Sequence, residues 1–287
     1  MFNDFEFKKS LGQNFICDDN IVRNIVKSAG IDKDTLVIEI GPGAGSLSKE
    51  IIPLSKYSIL YEIDDRLNDR LNNLLNINSN YEIIFNDFLK ENVKKKLSNF
   101  EYKKLYVVAN LPYYITTPII TKLIDDNILP DRIVIMVQKE VALRLSAKVG
   151  SKDYGSLTVL LNYYYDIKKL FDVSRNCFIP KPNVDSAVIC MDLKRDRLQI
   201  KDIDFFKKLV RDSFQFKRKN LRNNLGDNDQ KIVILLNKID EKPLVATNLF
   251  DDRGPQAAAP EENIASVCET ISNLATAAGL APIAILP

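Results

Sequence analysis

The chain of 287 residues carries a formal charge of +2, 46% hydrophobic residues, four cysteines and no histidine, and is long enough to bury a substantial core and hold one large domain with a small one. Without imidazole, and with Cys17, Cys177, Cys190 and Cys268 outside any C-x-x-C spacing, Cys/His zinc sites, Ser-His-Asp triads, Cys-His nucleophiles and histidine bases are excluded or disfavoured, and no metal is expected. Scattered cysteines suit a reducing compartment, Met1 to Ser10 is charged where a signal peptide is apolar, and no run reaches the roughly 18 apolar residues of a membrane span, so a cytoplasmic protein away from membranes is expected.

In chain order, Ile21 to Ala29 has the pattern of a short helix, and Thr35 to Ile40 (TLVIEI) is a β-branched apolar run ending at Gly41, as a buried strand does. A helix over Leu47 to Ile52, a strand over Ser58 to Ile63, a helix over Arg66 to Leu75 and a strand over Glu82 to Phe85 follow. Leu105 to Ala109 is the next strand. Then come a helix over Pro118 to Ile124, a strand over Ile133 to Val137, helices over Lys139 to Lys148 and Ser156 to Tyr165, and a strand over Ala187 to Met191. Strand and helix alternate, which predicts an α/β fold with a mostly parallel sheet covered on both faces.

After about Asp196 only helical patterns remain, over Asp204 to Leu225, Gln230 to Lys238 and Asn263 to Ala278. Residues 1–196 are therefore expected to form the α/β domain and 197–287 a small helical one. The tail from Glu241 differs in composition: it holds ten of the sixteen alanines, with two basic residues against six acidic. The first 240 residues keep 38 basic and 32 acidic side chains, a net of +6. Such an excess is compatible with nucleic acid without requiring it.

The turn Glu39-Ile40-Gly41-Pro42-Gly43-Ala44-Gly45 stands between a strand and a helix. Glycine lets the backbone turn sharply there and lets a ligand approach where a Cβ would clash. The G-x-G-x-G spacing and the missing donor at Pro42 suit a nucleoside with a short charged tail better than a pyrophosphate. Glu62, at the next strand end, is placed to accept ribose hydroxyls, and Asp87, at the third, to accept from an adenine amino group. A glycine turn alone also occurs in α/β proteins that bind nothing. With both carboxylates at successive strand ends, S-adenosylmethionine is the expected cofactor, favoured over NAD by the glycine spacing and by the motif that follows the fourth strand.

That motif, Asn110-Leu111-Pro112-Tyr113, can present an amide oxygen, a backbone carbonyl and an aromatic face to one flat, amino-bearing ring. The exocyclic nitrogen of adenine is a poor nucleophile because its lone pair is delocalised into the ring. Accepting its two N–H groups at Asn110 and Leu111 would make it pyramidal and nucleophilic, with no general base required. Pro112 stiffens the turn and Tyr113 would stack on the base; the competing reading is plain turn punctuation. Phe178, before two prolines, is a second stacking candidate, or else a core residue at a loop end. Arg211, Lys217, Arg218, Lys219 and Arg222, extended by Lys207 and Lys208, could contact phosphates, or form a solvated helical face.

Taken together, the chain resembles the KsgA-type ribosomal RNA adenine dimethyltransferases. The likeness rests on Lys8-Lys9-Ser10-Leu11-Gly12-Gln13-Asn14-Phe15, Gly41 to Gly45, Asn110 to Tyr114, Gln138 to Leu145, Tyr154 to Leu157, Phe178 to Ser186 and Arg218 to Arg222. It covers roughly residues 8 to 240, and the family's ending is only faintly visible beyond Glu241. The resemblance implies a class I (Rossmann-like) S-adenosylmethionine-dependent methyltransferase with a seven-stranded sheet and a small C-terminal helical domain. It implies dimethylation of N6 on two adjacent adenosines near the 3′ end of 16S rRNA, with small-subunit particles as partner and a monomer as the expected state. It also implies cofactor contacts from Asn14 and Ile16, joined by Gly41, Gly43, Glu62, Asp87 and Asn110. The related large-subunit 23S rRNA methyltransferases of the antibiotic-resistance type are the second reading, since they usually lack the Gly-Gln-Asn-Phe opening. An rRNA-binding assembly factor with secondary catalysis is the third, disfavoured because a binding module has no need of Gly41, Glu62, Asp87 and Asn110.

Overall fold

The computed structural model describes residues 6–148, 151–197, 200 and 202–216. In chain order the elements are β1 (Phe15–Ile16), α1 (Asp19–Ala29), β2 (Thr35–Ile40), α2 (Ser48–Ile51), β3 (Tyr57–Glu62), α3 (Asn68–Leu75), β4 (Tyr81–Phe85), α4 (Val93–Leu97) and β5 (Lys104–Asn110). They continue with α5 (Thr116–Asp125), β6 (Arg132–Gln138), α6 (Lys139–Leu145), α7 (Ser156–Tyr164), β7 (Tyr165–Val173), β8 (Phe178–Ile179), β9 (Ser186–Leu193) and α8 (Ile203–Ser213). The described residues form two compact units: those up to Leu143 with Tyr165–Leu193, and those of 144–164 with those from Lys194 to 216. Helix α7 groups with the second unit.

Seven strands of the first unit form one sheet in the order β4-β3-β2-β5-β6-β9-β7. The pairings from β4 through β6 are parallel, and β9 runs antiparallel to both β6 and β7. The chain moves outward from β2 to β3 and β4, then returns to lay β5 on the other side of β2. The carboxyl ends of β2 and β5 therefore flank a topological switch point, where open α/β sheets leave a crevice for ligands.

The central strands are legible because both of their faces are covered. All six residues of β2 are buried, and β5 and β6 are buried from the second residue to the sixth, so each reads as a continuous apolar run. Helix α1 covers one face. Asp18 caps it by accepting from the Asn20 N–H, and Gly30 closes it in the left-handed region at φ 62, the usual exit for a residue without Cβ. Its stripe of Val22, Ile25, Val26 and Ala29 meets Tyr106 and Val108 of β5, Val134 and Met136 of β6, and Val188 and Cys190 of β9. Alternate residues on three neighbouring strands supply that face, as pleating dictates.

Strand β7 is absent from the strands read off the local pattern and completes the seven that the resemblance implies. It is an edge strand whose interior is mostly exposed or half-exposed, carrying Asp166, Lys168, Lys169 and Asp172, and its register with β9 slips between Lys169 and Phe171. Charges and a bulge of this kind protect a sheet edge and break the two-residue period that would reveal it. The ribbon of β1 and β8, which pairs Ile16 with Phe178, was also not foreseen. In the second unit, α8 buries Phe206, Lys207, Leu209 and Val210. Lys207, only 5% exposed, therefore lies on the apolar face, which corrects its assignment to a basic surface. Arg211 is exposed, whereas Lys217, Arg218, Lys219 and Arg222 lie outside the described residues. Among the described residues no helix is long and apolar enough to cross a membrane.

Candidate active site

A cleft of roughly 730 Å³, counted with its open mouth, lies at the carboxyl edge of the sheet. Its walls bring together Asn14, Gly41, Gly43, Glu62, Asp87, Asn110, Leu111, Pro112 and Tyr113. These come from the ends of β2, β3, β4 and β5 and from the segment preceding β1.

The glycine turn follows β2, and its three glycines take positive φ angles, 71 at Gly41, 56 at Gly43 and 82 at Gly45, which other residues rarely adopt. Gly43 has a second constraint, because a Cβ there would sit 2.6 Å from the Phe15 ring. The turn thereby aims the Gly43 N–H at Oε2 of Glu62, 2.9 Å away, while Oε1 accepts from the N–H groups of Ile63 and Asp64, each at 2.9 Å. Glu62 is only 4% exposed. Burial raises its pKa, and the backbone donors oppose that rise. Three of its roughly four acceptor sites are filled by those donors, leaving room on Oε2 for one hydroxyl.

Asp87 caps the turn after β4, its Oδ1 accepting from the Leu89 N–H at 3.0 Å. Among the described residues its other oxygen has only Lys90 Nζ, at 4.0 Å, and remains available to a ligand amino group. At the end of β5, Asn110 donates from Nδ2 to the main-chain oxygen of Asn14 at 3.0 Å. Asn14 in turn donates from Nδ2 to the Gly12 oxygen at 3.0 Å. The Leu111 N–H donates to the Met136 oxygen at 3.2 Å, which ties the motif to the neighbouring strand. Tyr113 is half-buried, with its hydroxyl 2.7 Å from that of Ser186, and burial pushes its pKa up. Tyr114, the more exposed ring, lies over Gly12, where a Cβ would come within 3.0 Å.

Two expected site residues lie elsewhere. Phe178 is 3% exposed and belongs to the core with Ile16, Val22 and Ile25. In this structure the β1–β8 pairing places the ring with the core, the alternative its sequence position also allows, and Phe178 does not line the cleft. Ile16 lines a smaller recess of about 270 Å³ with Glu39, Gly41, Pro42 and Asn110. Glu39 was quoted in the glycine motif but given no role. It is 1% exposed, accepts from Ser48 Oγ at 2.7 Å, and has its pKa pushed up to about 8 by burial. The signal was a carboxylate inside the apolar run TLVIEI, a costly residue to bury without purpose.

A switch-point glycine turn beside a buried carboxylate, on a sheet with an antiparallel pair at one end, defines a Rossmann-like methyltransferase. The chain belongs to the ribosomal RNA adenine dimethylase family, whose model matches residues 4–250. It is similar to the ribosomal RNA small subunit methyltransferase A of Macrococcus caseolyticus, 45% identical over 77% of this chain and 75% of that one. The protein of the same description from Geobacillus thermodenitrificans is 47% identical over 78% of each chain. Among solved structures, a dimethyladenosine transferase from Plasmodium falciparum superposes with a TM-score of 0.68 at 25% identity, over 93% of this chain and 98% of the other. The 23S rRNA methyltransferase ErmE superposes with a TM-score of 0.63 at 22% identity, over 90% and 99%, a likeness of fold.

Proposed function

We propose that the protein dimethylates N6 of two adjacent adenosines near the 3′ end of 16S rRNA, on small-subunit particles in the cytoplasm during ribosome assembly. The observation that carries the chemistry is the hydrogen bond from Asn110 Nδ2 to the Asn14 oxygen. It leaves Oδ1 of Asn110 as an acceptor on the cleft wall. With the Leu111 carbonyl it accepts the two N–H groups of the adenine and localises the nitrogen lone pair, while the Tyr113 ring stacks on the base.

S-adenosylmethionine fits the rest of the cleft. Glu62 takes a ribose hydroxyl on the free side of Oε2, Asp87 accepts from the cofactor's adenine amino group, Gly41, Gly43 and Asn14 line the remainder, and Ile16 reaches the cofactor from the adjoining recess that shares Gly41 and Asn110. When bound, the cofactor supplies an electrophilic methyl group on a sulfonium. The chain's own work is to orient the base, exclude water and hold the nitrogen pyramidal, which accords with a sequence lacking histidine. Phe178 joins the stack in this reading only if its ring leaves the core. Arg211 and the basic residues Lys217, Arg218, Lys219 and Arg222 of the C-terminal domain contact phosphates, so that affinity falls steeply with salt. A monomer is the state proposed.

The test is mass spectrometry of nucleosides from undermethylated small-subunit particles incubated with the protein and S-adenosylmethionine, with large-subunit rRNA in parallel. Formation of N6,N6-dimethyladenosine in the small-subunit arm is expected. Formation confined to the large-subunit arm would overturn the substrate assignment.

A further inference from the structure

Part of the cleft wall is built by a segment with almost no regular structure. Leu11, Gly12, Gln13, Asn14 and Phe15 all line the cleft, yet only a single helical turn and the two residues of β1 organise this stretch. Something other than secondary structure must hold it against the ends of the sheet strands.

Asp64 reaches it from the turn after β3. Its side chain is fully buried. Oδ2 accepts from Gln13 Nε2 at 2.7 Å and from Arg66 Nη2 at 2.6 Å, and Oδ1 accepts from Arg66 Nε at 2.8 Å. Lys8 Nζ stands 3.9 Å away. The N–H of Lys8 donates to Gln13 Oε1 at 2.8 Å, and Arg66 Nη1 donates to the Glu6 oxygen at 3.2 Å. On its other side, the main-chain N–H of Asp64 donates to Oε1 of Glu62. One residue thus touches both the loosely built wall and the carboxylate to which we assign the ribose.

We infer that Asp64 is a positioning residue for cofactor binding: through Gln13 it fastens residues 8–15 over the cleft, and through its backbone it fixes the Glu62 carboxylate, so that both walls are set before the cofactor arrives. The inference rests on the cofactor reading above. A buried charge with a bidentate arginine partner holds its geometry firmly, and ordering the wall in advance removes an entropic cost from binding. A local role also exists for Asp64, which caps the turn Asp65–Leu67 by accepting from the Arg66 N–H at 3.4 Å. That role needs neither Gln13 nor Lys8, and this difference makes the two readings separable.

The experiment compares full-length Gln13→Ala, Asp64→Asn and the double variant with the unaltered protein and with Glu62→Ala. Calorimetry with S-adenosylmethionine and S-adenosylhomocysteine gives affinity, thermal unfolding without ligand gives stability, and hydrogen exchange follows the amides of residues 8–16. Each single variant should lose roughly tenfold in affinity for both ligands, as expected for a lost hydrogen bond to a charged group. Exchange in the segment should rise, and turnover at saturating cofactor should change by less than about threefold, because the loss lies in binding. The double variant should be no weaker than the weaker single, since the two residues act as one unit. Gln13→Ala alone keeps the idea testable if Asp64→Asn fails to fold. Unchanged affinity in Gln13→Ala, with a clear loss in Glu62→Ala, would overturn the positioning role. Unchanged affinity in both would instead overturn the placement of the cofactor.

Discussion

Asn110 and Asn14 stand 96 residues apart in the chain, yet the side-chain amide of the first donates to the main-chain oxygen of the second at 3.0 Å. The bond decides which end of the Asn110 amide is free. With Nδ2 engaged, Oδ1 is left to accept, which is the polarity that activating an amino group demands. Asn110→Ala removes the acceptor and the tether together. We expect methyl transfer at saturating cofactor to fall by about 10²-fold or more, the usual cost of losing one transition-state hydrogen-bond partner. Thermal unfolding should move little, because Asn110 is only partly buried. Single-turnover transfer from labelled cofactor, paired with a melting curve, checks both halves.

The ring and the hydroxyl of Tyr113 have separable jobs. The hydroxyl is anchored on Ser186 at 2.7 Å, and the ring is the assigned stacking surface. Tyr113→Phe should therefore keep most activity, losing no more than a few-fold, while Tyr113→Ala should forfeit the stacking, worth about 1–3 kcal/mol per base. Quenching of a fluorescent adenine analogue at the target position reads the stacking directly. Equal losses in the two variants would assign the contribution to the hydroxyl and its partner.

Glu39 makes stability depend on pH in an unusual direction. Burial pushes its carboxyl up to about 8 in the folded protein, whereas the unfolded chain gives up the proton near the ordinary carboxylate value. The native state thus binds the extra proton between those limits, and this group's contribution to stability falls as pH climbs through that window, levelling off above about 8. Glu39→Gln keeps an acceptor for Ser48 Oγ but carries no titrating proton. Denaturant midpoints measured from pH 5 to pH 9 should fall less steeply for that variant than for the unaltered protein.

Gly43→Ala should damage both fold and site. The position has φ 56, and an added Cβ would stand 2.6 Å from the Phe15 ring. The strained backbone alone costs about 1–3 kcal/mol, and displacing Phe15 disturbs the segment that carries Asn14. A lowered Tm together with weakened binding of S-adenosylhomocysteine is expected. A variant with native Tm and native affinity would show that the turn tolerates a side chain.

Much of the fold was legible in the sequence for a simple physical reason. Central strands of a covered parallel sheet are buried on both faces, so TLVIEI and the runs in β5 and β6 stand out from any neighbour. Glycines at the end of such a strand, acids at the next two strand ends and Asn-Leu-Pro-Tyr after the fourth are local patterns. Their convergence in one cleft follows from strand order, because parallel strands direct all their carboxyl ends to the same edge.

The tertiary structure decided what depends on partners distant in the chain. Strand β7 is an edge whose charges and bulge hide its period, and only pairing with β9 makes it a strand. Phe178 and Ile16 form a two-residue ribbon across more than 160 residues, and that pairing, not the local Phe-Ile-Pro sequence, sends the Phe178 ring into the core. Lys207 looked like surface until the apolar stripe of α8 claimed it. The anchoring of Asn110 by Asn14, and of Gln13 by Asp64, is equally invisible in one dimension. Residue type and local period determine which elements form and which chemistry they can carry. Orientation is fixed by hydrogen bonds and packing between segments that meet only once the chain has folded.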